Sequence, residues 1–161
     1  MRSTPLLAFL ISVVALSCSS STPGTTSPTA SIVVRAPASV PARVCERCVG
    51  RPGELEAAAD LVVEETAGVA GQITGVGVLF SNASRTIEGP GVFDPFVLAN
   101  FGVTSLRVPA RGSLTMRAIG VHFAGDLRDQ LPATLRFTVH FRDDNGHTLS
   151  SPEVAIQITP P

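Results

Sequence analysis

Leu135, Phe137, Val139 and Phe141 alternate with Arg136, Thr138, His140 and Arg142. Apolar and polar positions at period two predict a strand with one face in a core and the other in water. Asp143-Asp144-Asn145-Gly146 follows, where Asn145 or Gly146 can take the positive φ of a hairpin turn. A loop from Asp144 to Gly146 would set Phe141 opposite Leu149. The return strand then runs through Val154, Ile156 and Ile158, with Pro152 marking an edge or bulge.

Further upstream, Leu114 and Met116 alternate with Thr115 and Arg117. The phase then slips, and Ile119, Val121 and Phe123 carry the apolar face onward, so a bulge is expected near Ala118. Ile73 to Phe80 is another strand candidate, thinned by Gly75 and Gly77, and Ile32-Val33-Val34 is a short first one. The stretch from Gly53 to Glu64 fits two periods. Leu55, Ala58, Ala59 and Val62 would form a helical stripe in a composition that favours helix. At period two, Leu55, Ala57, Ala59, Leu61 and Val63 face inward while Glu54, Glu56, Asp60 and Glu64 face water. Strand is the preferred reading, because local propensity yields to a context of strands. The acids are then a solvated face, opposite Arg117 on a neighbouring strand.

The remaining composition agrees. Of 161 residues, 44% are hydrophobic, enough to fill one core, and 14 Gly with 13 Pro favour turns and short strands. All 12 cationic residues are arginine and the net charge is −1, so no basic excess exists to grip a nucleic acid.

Residues 1–17 read as an export signal: Arg2, then an apolar run from Pro5 to Leu16 closed by small residues. As a helix the run would span about 16 Å, against roughly 30 Å of bilayer hydrocarbon, too short for a permanent anchor. Its end, Val14-Ala15-Leu16-Ser17-Cys18, resembles a bacterial lipobox, although Ala15 stands where that family most often has Leu. The resemblance implies cleavage before Cys18 and a lipid on its sulfur. Ordinary cleavage after Ser17, with Cys18 incidental, is the alternative. Residues 18–30 are a Ser/Thr/Pro-rich tether with no apolar surface to offset its ordering entropy. Residues 31–161 are the domain.

Short strands with turns at close spacing predict an all-β chain, an antiparallel β-sandwich of about seven to nine strands. Leu79-Phe80-Ser81-Asn82, then Leu106 to Thr115 with its Pro109…Gly112-Ser113 loop, then Leu135 to Gly146, resemble bacterial immunoglobulin-like or fibronectin-III-like envelope modules over residues 54–159. The resemblance implies a fold and no catalytic residues. No tyrosine corner, core Trp or inter-sheet Cys pair is present, so the antibody subclass is not implied.

Cys45-Glu46-Arg47-Cys48 is the sharpest chemical feature. A redox C-x-x-C usually opens a helix, whereas here Val49-Gly50-Arg51-Pro52-Gly53 follows. Zinc needs four ligands, and His122 and His140 should face outward from opposite sheets. A local disulfide is the preferred reading for an oxidising compartment. It demands a tight turn, since three extended residues separate Cα atoms by about 10 Å and a bridge allows roughly 7 Å. Asp143, Asp144 and Asn145, with Asp126 and Asp129, lack the spacing of a calcium loop and read as turn residues. No nucleophile elbow, phosphate loop or His-Glu-x-x-His occurs, so no enzyme is expected and no cofactor is implied.

Arg85 to Phe101 is long and holds Phe93, Phe96 and Phe101. These are a partner anchor, a cap on the core or an extra edge strand, with the cap preferred. The expectation is a non-catalytic module of the bacterial envelope, periplasmic or surface-facing, lipid-held to the membrane through Cys18, and otherwise secreted. Its partner would be an envelope protein or glycan. A ligand end is expected where Thr66–Gly71, Pro109–Gly112 and Asp143–Gly146 cluster, with Arg111, Asp143, Asp144 and Asn145 as candidate contacts. The competing expectations are a periplasmic thiol-redox or metal protein acting through Cys45 and Cys48, and an accessory domain of a larger complex.

Overall fold

In the computed structural model, which describes residues 26–45, 54–84, 86–123 and 131–161, the period-two segments are strands. The export signal, Cys18, Cys48, Asp126 and Asp129 lie outside the described residues. Along the chain, β1 (Ile32–Arg35), β2 (Ser39–Pro41) and β3 (Arg43–Val44) are short, and β4 (Leu55–Glu65) and β5 (Gly71–Ser81) are long. Next, β6 (Thr86–Phe93) leads into α1 (Pro95–Asn100), and β7 (Arg107–Val108) precedes β8 (Ser113–Phe123). Then β9 (Ala133–Asp143) turns back into β10 (Thr148–Ser150) and β11 (Val154–Thr159).

The described residues are mostly β, in two sheets, as an all-β fold requires. One places β4 between β8 on one side and both β1 and β3 on the other. The second runs β2-β11-β9-β5-β6, with β10 also on β9 and β7 also on β5. Pro37 and Pro41 explain the fragmented start, because a residue without an N–H interrupts a ladder. After β1 leaves β4, the chain pairs in parallel with β11, then returns to β4 as β3.

The inward rows are the predicted ones. Leu55, Leu61, Val63, Met116 and Ile119 of the first sheet meet Phe80, Leu135, Phe137, Phe141 and Ile156 of the second, all at most 1% exposed. Each contributes roughly 1.5–3 kcal/mol of transfer free energy. The Phe80 and Phe123 ring centroids lie 5.3 Å apart and tie the sheets together. The ambiguous stretch is strand β4. Phe141 faces Leu149, as the hairpin loop predicts, and Gly146 has φ 89°.

Ala118 takes φ 52°, and the β4–β8 register shifts between Ala59 and Leu61, so the bulge falls where the phase slips. Asp60 is more than solvated surface, since its Oδ1 accepts the Ala118 N–H at 2.9 Å. Glu64 pairs at 2.9 Å with Arg35 rather than Arg117.

The long segment before β7 is both an edge strand and a cap, and it contains a helix that periodicity does not reveal. Asp94 Oδ1 accepts the Val97 N–H at 2.9 Å and Pro95 occupies the first turn, an N-cap arrangement that suffices for α1. The helix buries Leu98, and the Phe93 and Phe101 ring centroids lie 5.3 Å apart. Phe93 and Phe101 pack against the core, whereas Phe96 is 76% exposed.

Candidate functional site

The inward row of β4 does not stop at Val63. Its next position is Glu65, and the inward row of β9 likewise ends in Asp143. Both acids are buried, at 2% and 4% exposure, at the same end of the protein. Glu65 accepts the N–H groups of Ser31, Ala67, Gly68 and Arg111 at 2.8–3.2 Å. Asp143 accepts those of Ala30 at 3.1 Å and His147 at 2.8 Å, and its Oδ2 lies 2.9 Å from His147 Nδ1.

Two buried carboxylates thus bind the start of β1 and the three loops to one another. Glu65 N–H also reaches Gly112 O, and Asp144 N–H reaches Ala70 O, each at 2.9 Å. The loops 66–71, 109–112 and 143–146 therefore share one pole. The chain before β1 joins it, because Asn145 Nδ2 donates to Pro28 O at 2.7 Å and Ala30 is buried.

Burial would raise the Glu65 pKa, but the four backbone donors outweigh it and hold the carboxyl at about 2, against a usual 4.5. Burial would likewise raise the Asp143 pKa, but the Ala30 and His147 contacts outweigh it, so this carboxyl too is held below its usual range. Both acids favour the fold in their charged form. Their contribution is complete above the unfolded-state pKa and fades as pH falls through the folded one. Stability should therefore be level near pH 6 and decline between about pH 5 and pH 2, with Glu65 alone accounting for roughly 2–3 kcal/mol after solvent screening. Urea midpoints across that range test this, and a level midpoint would exclude it.

Asp143, expected among the ligand contacts, is not available for one: its side chain is 0% exposed and its oxygens serve the fold. Arg111 and Asp144 are exposed, and Asn145 is exposed while bonded to Pro28. Arg107, which the sequence does not single out, joins them by donating Nη1 and Nη2 to the two Asp144 oxygens at 2.7 and 2.6 Å. That hydrogen-bonded pairing lowers the Asp144 pKa. Gln72, Thr74, Arg107, Arg142 and Asp144 rim a polar recess of about 420 Å³. At this end Arg107, Arg111 and Arg142 are exposed, whereas of the acids Asp144, Asp143 and Glu65 only Asp144 is, so the exposed side chains are mainly cationic although the formal charges balance.

A second recess, about 220 Å³, is lined by Val78, Phe80, Phe93, Phe101 and Val121, with Gly91, Gly120 and His122 completing its wall. His122 and His140 lie on β8 and β9, in opposite sheets, as expected. Another grouping has no counterpart in the sequence motifs. Cys45, Glu56 and His122 bring a sulfur, a carboxylate oxygen and a ring nitrogen within 4.8 Å of one another.

No protein-family model and no curated protein matches the chain. Its fold is similar to solved structures. A crystal structure of a Bordetella pertussis protein assigned as ApaA aligns with TM-score 0.53 at 16% identity, over 82% of this chain and 95% of that one. The X-ray structure of the structural-genomics target SoR45 aligns with TM-score 0.56 at 10% identity, over 81% and 87% of the two chains. At such identities the likeness concerns fold alone.

Proposed function

We propose that the chain is a non-catalytic, lipid-tethered immunoglobulin-like module of the bacterial envelope that binds an anionic protein or glycan group at the pole of arginines. Its strand order supports the fold assignment. With β1 to β3 taken as one divided first strand, β4 and β8 join it as second and fifth. The third, sixth and seventh form the other sheet beside an extra fourth, the order of an immunoglobulin-like sandwich. The observation that carries the binding reading is the pole itself: three loops fixed by buried carboxylates, with Arg111 exposed on one of them and Arg107 and Arg142 of the adjoining strands lining a recess beside them. Rigid scaffolds with loops at one end commonly bind there.

The envelope placement rests on the export signal and Cys18. On this reading Cys45 and Cys48 form a local bridge, which suits the same compartment.

One experiment addresses both placement and site. In a bacterial host, the wild-type chain should pellet with membranes, and Cys18→Ser should move it to the soluble fraction. The membrane-held protein should retain an acidic glycan or acidic peptide probe. Arg107→Ala with Arg111→Ala and Arg142→Ala should weaken that retention at least about tenfold, with melting nearly unchanged, since exposed charges contribute little to stability. Unaltered retention would reject the pole, and a soluble wild type would reject the anchor.

A further inference from the structure

We propose that Cys45, Glu56 and His122 form a transition-metal site, suited to zinc, that opens when Cys45 is a thiol. The three side chains come from neighbouring strands on the outer face of the smaller sheet. Glu56 on β4 lies opposite Arg43 of β3 on one side and His122 of β8 on the other. The ladder continues one residue past β3, with Cys45 N–H donating to Glu54 O at 2.9 Å. That pairing places Cys45 two residues beyond Arg43 on the same face, beside Glu56.

The geometry is close to what a metal requires. Glu56 Oε2 and His122 Nε2 lie 3.6 Å apart, and all three donors fall within 4.8 Å of one another. Donors bonded to tetrahedral zinc at about 2.0–2.3 Å stand roughly 3.3–3.8 Å apart. Rotamer adjustment of the carboxylate and the sulfur closes the difference. The donor set also selects the ion: a thiolate and an imidazole suit zinc or cobalt, whereas calcium and magnesium take oxygen shells. Cys45 is 8% exposed, while the His122 and Glu56 side chains are 50% and 32% exposed. The sulfur is therefore shielded and the ion has an entrance from solvent.

Oxidation state gates the site. In the structure the Cys45 sulfur has no titratable proton, the state of a bridged cysteine, and any sulfur partner lies outside the described residues. A bridged sulfur is a poor ligand. With Cys48 as the partner the sequence leads one to expect, a dithiol donor opens the bridge by passing it two electrons and two protons, and becomes a disulfide itself. The ion then displaces the Cys45 proton to solvent. Glu56 lies near the start of β4 and Glu65 at its end, so the site and the pole of arginines are independent.

Cobalt is the probe. The full chain in detergent, reduced with a phosphine that leaves as its oxide by taking oxygen from water, is titrated with Co²⁺ without air. One equivalent should bind with a thiolate-to-cobalt charge-transfer band, and the unreduced protein should show none. Cys45→Ser should abolish the band. Glu56→Gln and His122→Gln should each weaken binding at least roughly tenfold, the loss seen even for outer ligand partners. Cys48→Ser, unable to bridge internally, should bind without reductant, and melting curves confirm that each variant is folded. No band after reduction would overturn the site. So would a band unchanged in both Glu56→Gln and His122→Gln, or one lost in folded Cys48→Ser, since either places the ion on the sulfur pair. Full thiol reactivity of the protein as isolated would overturn the gate.

Discussion

Replacing Glu65 with alanine is expected to lower the unfolding free energy by about 3–4 kcal/mol, well beyond the cost of removing an exposed charge. The carboxylate has four backbone donors, from Ser31, Ala67, Gly68 and Arg111. Each buried donor left unmatched costs about 1–3 kcal/mol, less whatever water recovers at the loop edge. Glu65→Gln should fall between wild type and alanine, because it keeps one acceptor oxygen and aims an amide N–H₂ at donors. It should also remove most of the stability decline between about pH 5 and pH 2. Glu64→Ala is the control. Its Arg35 pair is exposed at the surface and should be worth under about 1 kcal/mol. Urea unfolding with an unchanged slope measures all three. Equal losses at Glu64 and Glu65 would mean that the buried carboxylate does not organise the pole.

The consequence reaches the binding face. Arg111 has φ 52°, a conformation that L side chains seldom adopt, and its N–H donates to Glu65. Without that acceptor the turn loses its reason to hold Arg111 outward. Glu65→Ala should therefore weaken ligand retention at the pole as well as stability, while the arginine substitutions weaken retention alone.

Much of the fold is readable from period two. Leu135 to Phe141 and the slipped phase at Ala118 specify a strand, its inward face and even the bulge, whereas Leu55 to Val63 fits a helical stripe as well and reads as strand only from the strands around it. The pairing of Phe141 with Leu149 follows from loop length. The continuation of those rows is less obvious. The same count that puts Val63 and Phe141 inside also puts Glu65 and Asp143 inside, and an acid at an inward position beside a turn is the signal of a carboxylate serving backbone donors. At Asp143 that signal is masked by turn chemistry, because the residue begins an acidic-Asn-Gly run.

Other features have no local signature. α1 is short, and only its capping residues Asp94 and Pro95 announce it. Arg107 faces Asp144 across long sequence separation, and Glu56 meets His122 and Cys45 only through strand order. Such contacts depend on which strands become neighbours, which alternation within one strand does not encode.

Glycines show the same division between local pattern and neighbourhood, and one of them carries the second large effect. Gly120 lies opposite Ala58 in the β4–β8 ladder, just past the Ala118 bulge, and is buried. Its φ is not among the positive ones, so backbone freedom is not what it supplies. It supplies room. A Cβ at this position would overlap the Ala57 carbonyl oxygen and stand 2.6 Å from Ala58 Cα, and backbone atoms cannot swing away as a side-chain tip can. Gly120→Val must push β8 off β4 between Ile119 and Val121, both core residues. Overpacking alone costs about 1–3 kcal/mol, and weakened ladder hydrogen bonds add to it. A loss of about 3 kcal/mol or more is expected, a fall in melting temperature of roughly 10 °C. Gly91→Ala is the matched control, since its Cβ would meet nothing within 4 Å, and it should change stability by less than about 0.5 kcal/mol. Displacing β8 also separates His122 from Glu56, so any folded Gly120 variant should bind cobalt more weakly than wild type. A Gly120→Val protein with native melting and native cobalt affinity would refute the close approach of β8 to β4 on which the smaller sheet, and the metal site on its outer face, both depend.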